Sequence, residues 1–328
     1  MPRRKNLVPA GFFFMVPLSM HPFVFSSCHI PCPYATIYGD KLGRNTMIYA
    51  LLVSEEHAVD ARQISIQTTP IREDKRMKQQ VMGRLMSKEQ LADGIYSMWI
   101  EAEAIAKEAR PGQFVSVYCK DGSRVLPRPI SICEITETAL RLVYRVAGAG
   151  TAEFSQYEVG EEIRMQGPFG NGFPLLEEKA ILIGGGIGVP PMLELAKQLP
   201  GEKTVVSGYR DNHLFLYEDL KKYADVVIAT EDGSVGTKGN VLDAIREQGV
   251  TGSVIYACGP TPMLRAIKAY ALEHGITCYI SLEEKMACGI GACLACVCKS
   301  KEVDHHTGVH NKRICKDGPV FLAQEVEL

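Results

Sequence analysis

The sequence predicts a multidomain β and α/β protein: an antiparallel β-barrel, a parallel-sheet α/β domain and a small cysteine-rich C-terminal domain. Three observations predict it. From Val81 to about Pro174 short alternating apolar runs, such as Ile95–Ile100 and Leu140–Val146, are separated by Gly, Pro and Asp turns, the pattern of half-buried antiparallel strands. From Lys179 to about Ser281 continuous apolar strands alternate with amphipathic helices, the pattern of a parallel sheet covered on both faces. Beyond Ser281 the chain is rich in Cys, Gly and short turns and too poor in periodic apolar residues to build its own core.

The chain has 328 residues, 46% hydrophobic and 23% charged, with a net charge of −2. That is long enough for about two domains and an appendage, and its charge gives no case for nucleic acid or an anionic membrane. Eleven cysteines are crowded toward the C-terminus rather than spread in pairs, which favours metal ligation in a reducing, cytoplasmic compartment over a disulfide framework. Residues 1–76 differ from the rest. Pro2-Arg3-Arg4-Lys5 and the apolar run Leu7–Phe25 imitate a signal peptide, but Pro9, Pro17 and Pro22 interrupt the run, so no membrane span is expected. We expect a non-native or disordered extension, with translation starting at Met77 behind Arg72-Glu73-Asp74, which is encodable as a purine-rich ribosome-binding sequence.

In the barrel segment, Trp99 is expected to pack in or near the sheet. Arg128-Pro129-Ile130-Ser131 closes a strand; Arg128 can pair with a flavin phosphate and Ser131 can hydrogen-bond the isoalloxazine edge. Tyr144-Arg145-Val146 ends the next strand, and Gly148-Ala149-Gly150-Thr151 opens a short helix to Tyr157. Amides at a helix start, glycines that permit close approach and the Thr151 hydroxyl suit a pyrophosphate, so FAD is expected here. Gly167–Phe173 reads as a turn that also touches the nucleotide.

In the α/β segment five strands are expected, Ala180–Ile183, Thr204–Ser207, Asp225–Ala229, Ser253–Ala257 and Thr277–Ile280, with Pro262–His274 the clearest helix. Gly184-Gly185-Gly186-Ile187-Gly188 lies between a strand and a helix carrying Pro190 and Pro191, the setting of a dinucleotide phosphate. Cys258-Gly259-Pro260 ends the fourth strand, where open α/β sheets bind ligands; Cys258 either flanks a nicotinamide ring or is a small buried thiol. Ser207–Arg210 ends the second strand, with Arg210 on a phosphate or in a surface salt bridge.

In the last segment Cys288, Cys293 and Cys296 form C-x4-C-x2-C, with Cys315 after eighteen intervening residues. This is an iron–sulfur spacing, and Gly289 and Gly291 let backbone amides approach the sulfur atoms. Zinc would favour two C-x2-C knuckles, and only one is present. Cys298 reads as packing, and His305, His306 and His310 as solvated loop residues. The three parts are therefore an FAD-binding barrel (77–175), an NAD-binding α/β domain (176–280) and a [2Fe–2S] domain (281–328).

These motifs, in this order, resemble the ferredoxin reductase superfamily over residues 78–328. The run from Cys288 to Cys296 with Asp317-Gly318-Pro319-Val320-Phe321 is similar to the electron-transfer subunits of NAD-dependent dihydroorotate dehydrogenases. The resemblance implies an FMN-containing partner that oxidises dihydroorotate, two copies of each chain, and electrons passing through [2Fe–2S] and FAD to NAD in pyrimidine (UMP) biosynthesis, with no residue here catalysing dihydroorotate oxidation. A related family, the small subunits of sulfide dehydrogenase or NADH-dependent ferredoxin:NADP reductase, typically carries Asp where Cys288 stands.

Overall fold

The computed structural model describes residues 79–303 and 308–328. The expectations for residues 1–76, for Met77 as a start and for His305 and His306 lie outside the described residues.

The first unit is a closed barrel. Its strands are β1 (Gln79–Ala92), β2 (Ile95–Glu101), β3 (Phe114–Val117), β4 (Arg128–Ile135), β5 (Ala139–Arg145) and β6 (Glu162–Phe169), in the order β1-β2-β5-β4-β3-β6, with β6 pairing back to β1. Every pairing is antiparallel. Asp93-Gly94 turns β1 into β2, with Gly94 at φ +64°, the left-handed conformation a two-residue hairpin demands. Alternation puts Leu85, Met98, Ile100, Ile132, Leu142 and Met165 inside, each fully buried. Trp99 lies on β2, half-buried, with the Arg141 guanidinium 6.0 Å from its ring. Two short helices, α1 (Glu103–Ala106) and α2 (Ala149–Phe154), add Ile105, Ala106 and Phe154 to the barrel core.

The second unit is a seven-stranded sheet. The expected five strands appear as β7 (Ala180–Gly185), β8 (Lys203–Tyr209), β9 (Asp225–Thr230), β11 (Val254–Cys258) and β12 (Thr277–Ser281), all parallel. Two short strands were not expected: β10 (Thr237–Lys238), parallel to β9, and β15 (Val320–Leu322), antiparallel to β12. The order is β10-β9-β8-β7-β11-β12-β15. Every residue of β7 and of β11 is buried, because helices cover both faces of a parallel sheet. These are α3 (Pro190–Gln198), α4 (Tyr217–Leu220), α5 (Val241–Glu247) and α6 (Thr261–His274). The Asn240 side chain caps α5 by accepting from the Leu242 and Asp243 amides at 2.9 and 3.3 Å. Gly275, at φ +65°, ends α6.

The cysteine-rich segment has no core of its own, as expected, and the structure shows how it is held. Besides the hairpin β13 (Val297–Lys299) and β14 (Asn311–Arg313) and the short helix α7 (Ile314–Asp317), it contributes β15 to the sheet. Cys296, Ile314, Cys315, Phe321 and Val326 pack in one core with Ile181, Ile255 and Ile280 of the sheet and Phe114 and Phe169 of the barrel. No helix among the described residues is long and apolar enough to cross a membrane.

Candidate functional site

β4 begins at the rim where its antiparallel neighbour β5 ends, so Arg128 and Arg145 reach the same end of the barrel. A methyl group added at Gly150 would overlap the Arg128 guanidinium, which therefore rests on the first turn of α2. Arg128 donates to the Leu126 carbonyl, and among the described residues no carboxylate pairs with it. It is a cation at a cluster of backbone amides with no counter-ion, a setting that fits a phosphate. The loop before it is tied to the same helix through Glu153, which accepts from Arg124, from the Lys120 amide at 2.6 Å and from the Tyr157 hydroxyl at 2.7 Å. Pro129 and Ser131 are half-buried, whereas the Ile130 side chain is buried in the barrel.

Two of the expected flavin residues at this rim have side chains engaged within the protein. The Thr151 hydroxyl does not face outward: it accepts from the Ala147 and Gly148 amides at 2.9 and 3.2 Å and donates to the Gly148 carbonyl at 3.1 Å, capping its own turn. Tyr144 is 2% exposed, its ring stacked on Tyr96 at 6.1 Å and edge-on to Phe154 at 5.9 Å. Successive strand residues face opposite ways, so Tyr144 points into the barrel and Arg145 out of it. The chain leaves β5 with the Val146 amide donating to the Gly94 carbonyl at 2.8 Å.

Arg145 meets the glycine-rich turn. Gly186 takes φ +53°, and a Cβ there would lie 3.3 Å from the Arg145 guanidinium. The other glycines are required by packing: a Cβ at Gly184 would be 2.7 Å from the Val189 backbone, and methyls at Gly185 and Gly188 would overlap the Met263 sulfur and the Cys258 carbonyl. A cavity of about 970 Å³ opens between this turn and the barrel rim, reached by Val146, Tyr209, Arg210, Glu231, Pro260 and Met263. It lies at the carboxyl ends of β7, β8, β9 and β11, the place where such sheets bind nucleotides.

The Cys258 side chain is not in that cavity. It is fully buried, its Sγ 4.0 Å from Glu283 Oε1, and burial pushes the thiol up. Gly259 and Pro260, which follow it, do face a cavity. This second one, of about 420 Å³, lies between Arg145, Gly186, Pro260, Glu283 and Cys298. Glu283, which nothing in the sequence singled out, opens onto it; enclosure by the walls raises its carboxyl and Arg145 opposes the rise. Gly167–Phe173 is tied both to the barrel and to the C-terminal strand: Gln113 donates to the Gly170 carbonyl at 2.7 Å, and Asn171 donates to the Val320 carbonyl at 2.7 Å and accepts from the Val320 amide at 3.1 Å.

Of the four cysteines expected to hold the cluster, Cys288 interacts with Cys293 and Cys315 with Cys296; among the described residues no three of these side chains converge into a ready-made metal site. Cys288 Sγ accepts from the amides of Ile290, Ala292 and Cys293 at 3.3 to 3.4 Å. Its loop can fold this way because Gly289 and Gly291 take φ +68° and +81°. Burial tends to raise the Cys288 thiol, but these amides outweigh it and bring the thiol down to about 6. Burial pushes Cys315 up to about 12, and the hydrogen bond from Cys296 adds to the rise. Two pairs of thiols in an iron–sulfur spacing, with three backbone amides directed at the Cys288 sulfur, fit a binuclear iron–sulfur cluster. Cys298 stands apart on β13 opposite Lys312, raised to about 11 by burial. His310 is exposed, its Nδ1 3.0 Å from the Lys301 carbonyl.

The Gly289 turn of this loop packs against β3, a Cβ there lying 3.3 Å from Ser116 Oγ. The cluster loop, the barrel rim and the glycine turn thus belong to one packed body.

Residues 283–327 match the model of the iron–sulfur cluster binding domain of dihydroorotate dehydrogenase B. The chain is 41% identical over 251 residues to the dihydroorotate dehydrogenase B (NAD(+)) electron transfer subunit of Caldanaerobacter subterraneus subsp. tengcongensis, covering 76% of this chain and 99% of that one. The corresponding protein of Fusobacterium nucleatum subsp. nucleatum is 44% identical over 254 residues, covering 73% and 95%. The solved structure of an NADH-dependent reduced ferredoxin–NADP oxidoreductase superposes with a TM-score of 0.68 at 28% identity, covering 75% of this chain and 90% of that chain. A flavohemoglobin from Malassezia yamatoensis, at 22% identity and a TM-score of 0.53, shares the fold over 60% of this chain and 57% of its own. With relatives above 40% identity matched over nearly their whole length, the chain belongs to the family of dihydroorotate dehydrogenase B (NAD(+)) electron transfer subunits.

Proposed function

We propose that this chain is the electron-transfer subunit of an NAD-dependent dihydroorotate dehydrogenase. It takes electrons from an FMN-containing catalytic subunit, two copies of each chain assembling in the cytoplasm, and delivers them to NAD+ for pyrimidine biosynthesis. The observation that carries this reading is the packing of three cofactor stations in one body, the cluster loop against β3 and Arg145 between the flavin rim and the glycine turn.

Cys288, Cys293, Cys296 and Cys315 would hold the [2Fe–2S] cluster, with the Ile290, Ala292 and Cys293 amides directed at one ligand sulfur. Arg128 and the amides from Ala149 to Thr151 would hold the FAD pyrophosphate, Ser131 its isoalloxazine edge, and Arg145 and Val146 the rim beside it. Gly184–Gly188 and Gly259-Pro260 would seat NAD, with Cys258 behind the wall supporting the turn through its carbonyl rather than through its thiol. A [2Fe–2S] cluster passes one electron at a time and NAD+ accepts two with a hydride, so bound FAD supplies the conversion between them. The protein's part is to position and enclose. We take 77–175, 176–280 and 281–328 as the units that hold FAD, NAD and the cluster.

Anaerobic titration of the purified complex tests the reading. Dihydroorotate should bleach the flavin absorbance; bleaching by sulfide or reduced ferredoxin and not by dihydroorotate would transfer the chain to the related reductase function. Cys288, at the position where that related family typically carries Asp, favours dihydroorotate.

A further inference from the structure

One buried ionic network lies outside all three stations. Arg141 of β5 is 8% exposed. Its Nε donates to Ser97 Oγ of β2 at 2.9 Å, and its terminal nitrogen to Asp219 of α4 at 2.8 Å and Glu134 of β4 at 3.5 Å. Glu194 of α3 is 1% exposed and accepts from the Ile135 amide at 2.6 Å and from Gln198 at 2.6 Å. Lys197 of the same helix donates to the Ile135 carbonyl at 2.7 Å and lies 3.5 Å from Glu194 and 3.8 Å from Glu134. Ile135, the last residue of β4, is therefore gripped through both its N–H and its C=O by α3.

The two elements so joined carry the two redox stations at their other ends. β4 starts with Arg128–Ser131, and α3 follows directly on the Gly184–Gly188 turn. Strand and helix are stiff, so a shift where Ile135 meets Glu194 and Lys197 reappears between the flavin strand and the nicotinamide turn. Buried ion pairs are poor stabilisers compared with apolar packing of equal volume. What this network provides that apolar contacts do not is a single, directional docking of one domain on the other.

We infer that Glu194 and Arg141 are positioning residues, which lock the barrel onto the α/β domain in the register that aligns flavin and nicotinamide for hydride transfer. The inference rests on the function proposed above. In the transfer, the C4–H bond of NADH breaks and its hydrogen leaves with the electron pair to form the N5–H bond of the flavin; a solvent proton completes NADH + H+ + FAD → NAD+ + FADH2. Neither residue touches these atoms.

The test uses the cluster-loaded, flavin-loaded complex and the variants Glu194→Leu, Glu194→Gln and Asp219→Asn. Stopped-flow reduction of the flavin by NADH separates the limiting rate from the apparent affinity for NADH. Hydrogen exchange over residues 133–137 and along α3, without nucleotide, reports the clamp itself. Glu194→Leu should lower the limiting rate about tenfold to hundredfold, the effect of a displacement on the order of 1 Å between reactants. Its NADH affinity and flavin content should stay as in the wild type, and exchange over 133–137 should accelerate. Glu194→Gln retains an acceptor for the Ile135 amide and should recover most of the rate. If Glu194→Leu fails to fold, Asp219→Asn, whose carboxylate is 27% exposed, decides. Faster exchange with an unchanged limiting rate overturns the inference, as does a rate loss that merely follows loss of flavin or of NADH affinity. A wild-type complex whose flavin NADH cannot reduce refutes instead the proposed function, and the exchange result still reports whether the clamp exists.

Discussion

Gly150→Ala tests the proposed flavin site without touching a polar group. Gly150 lies in the first turn of α2 under the Arg128 guanidinium, and an alanine methyl would occupy the guanidinium's place. Two effects oppose each other. Alanine in a helix is favoured over glycine by about 1 kcal/mol, so the flavin-free protein should unfold no more easily than the wild type. Displacing Arg128 from its seat removes a charge-assisted hydrogen bond to phosphate, about 1.5–3 kcal/mol, which is about a tenfold to hundredfold rise in the FAD dissociation constant. The affinity loss should therefore win in the loaded protein. Flavin fluorescence, quenched on binding, measures it. Gly148→Ala is the comparison, because a Cβ at Gly148 meets no protein atom within 4 Å, and it should lose less FAD affinity than Gly150→Ala. The sharper check is a double-mutant cycle: once Arg128→Ala has removed the guanidinium, Gly150→Ala should cost little more. Additive losses in the cycle, or equal losses at Gly148 and Gly150, would show that the cofactor packs on these glycines directly and that the Arg128 seat is irrelevant.

Three other outcomes are expected. Cys288→Asp should leave FAD bound while changing the visible absorbance and electron paramagnetic resonance of the cluster; an unchanged spectrum removes Cys288 from the ligand set. Burial raises the Glu194 carboxyl, so the folded chain holds this proton to a higher pH than the unfolded chain, and the wild type loses stability as pH climbs from about 4.3, the ordinary carboxyl value, through the raised one. Glu194→Gln should therefore gain on the wild type across that window in denaturant titrations, and a difference that is flat with pH contradicts the assignment. Tyr256→Phe should lower stability by about 1–3 kcal/mol, since its fully buried side chain donates to the Pro174 carbonyl at 2.9 Å and that carbonyl loses its partner; calorimetry should show a fall of about 2–4 °C per kcal/mol.

How much of this was legible in the sequence depends on the length scale at which each feature is encoded. The candidate cluster ligands were readable because Cys288, Cys293 and Cys296 are set by local loop spacing, and the five longer parallel strands because each is a continuous apolar run. β10 and β15 were not, having two and three residues, too few to carry a period. The burial of Tyr144 was hidden for a related reason: a motif is written as consecutive letters, but a strand sends alternate side chains to opposite faces, so those of Tyr144 and Arg145 point to opposite sides of β5. The Thr151 hydroxyl had a readable signal in its three-residue offset from Gly148, since threonine at a helix start commonly bonds the adjacent backbone. Glu283 meets Cys258 across 25 residues of chain, and Arg141 meets Asp219 across 78; nothing local to either member of these pairs announces the other. The motifs thus carry the proposal of where each cofactor is held, whereas the alignment between them is, on the inference above, fixed by long-range pairs on the far side of the barrel. It follows that substitutions at Arg141 or Glu194, outside every motif, should alter the speed of electron delivery while leaving all three cofactors bound.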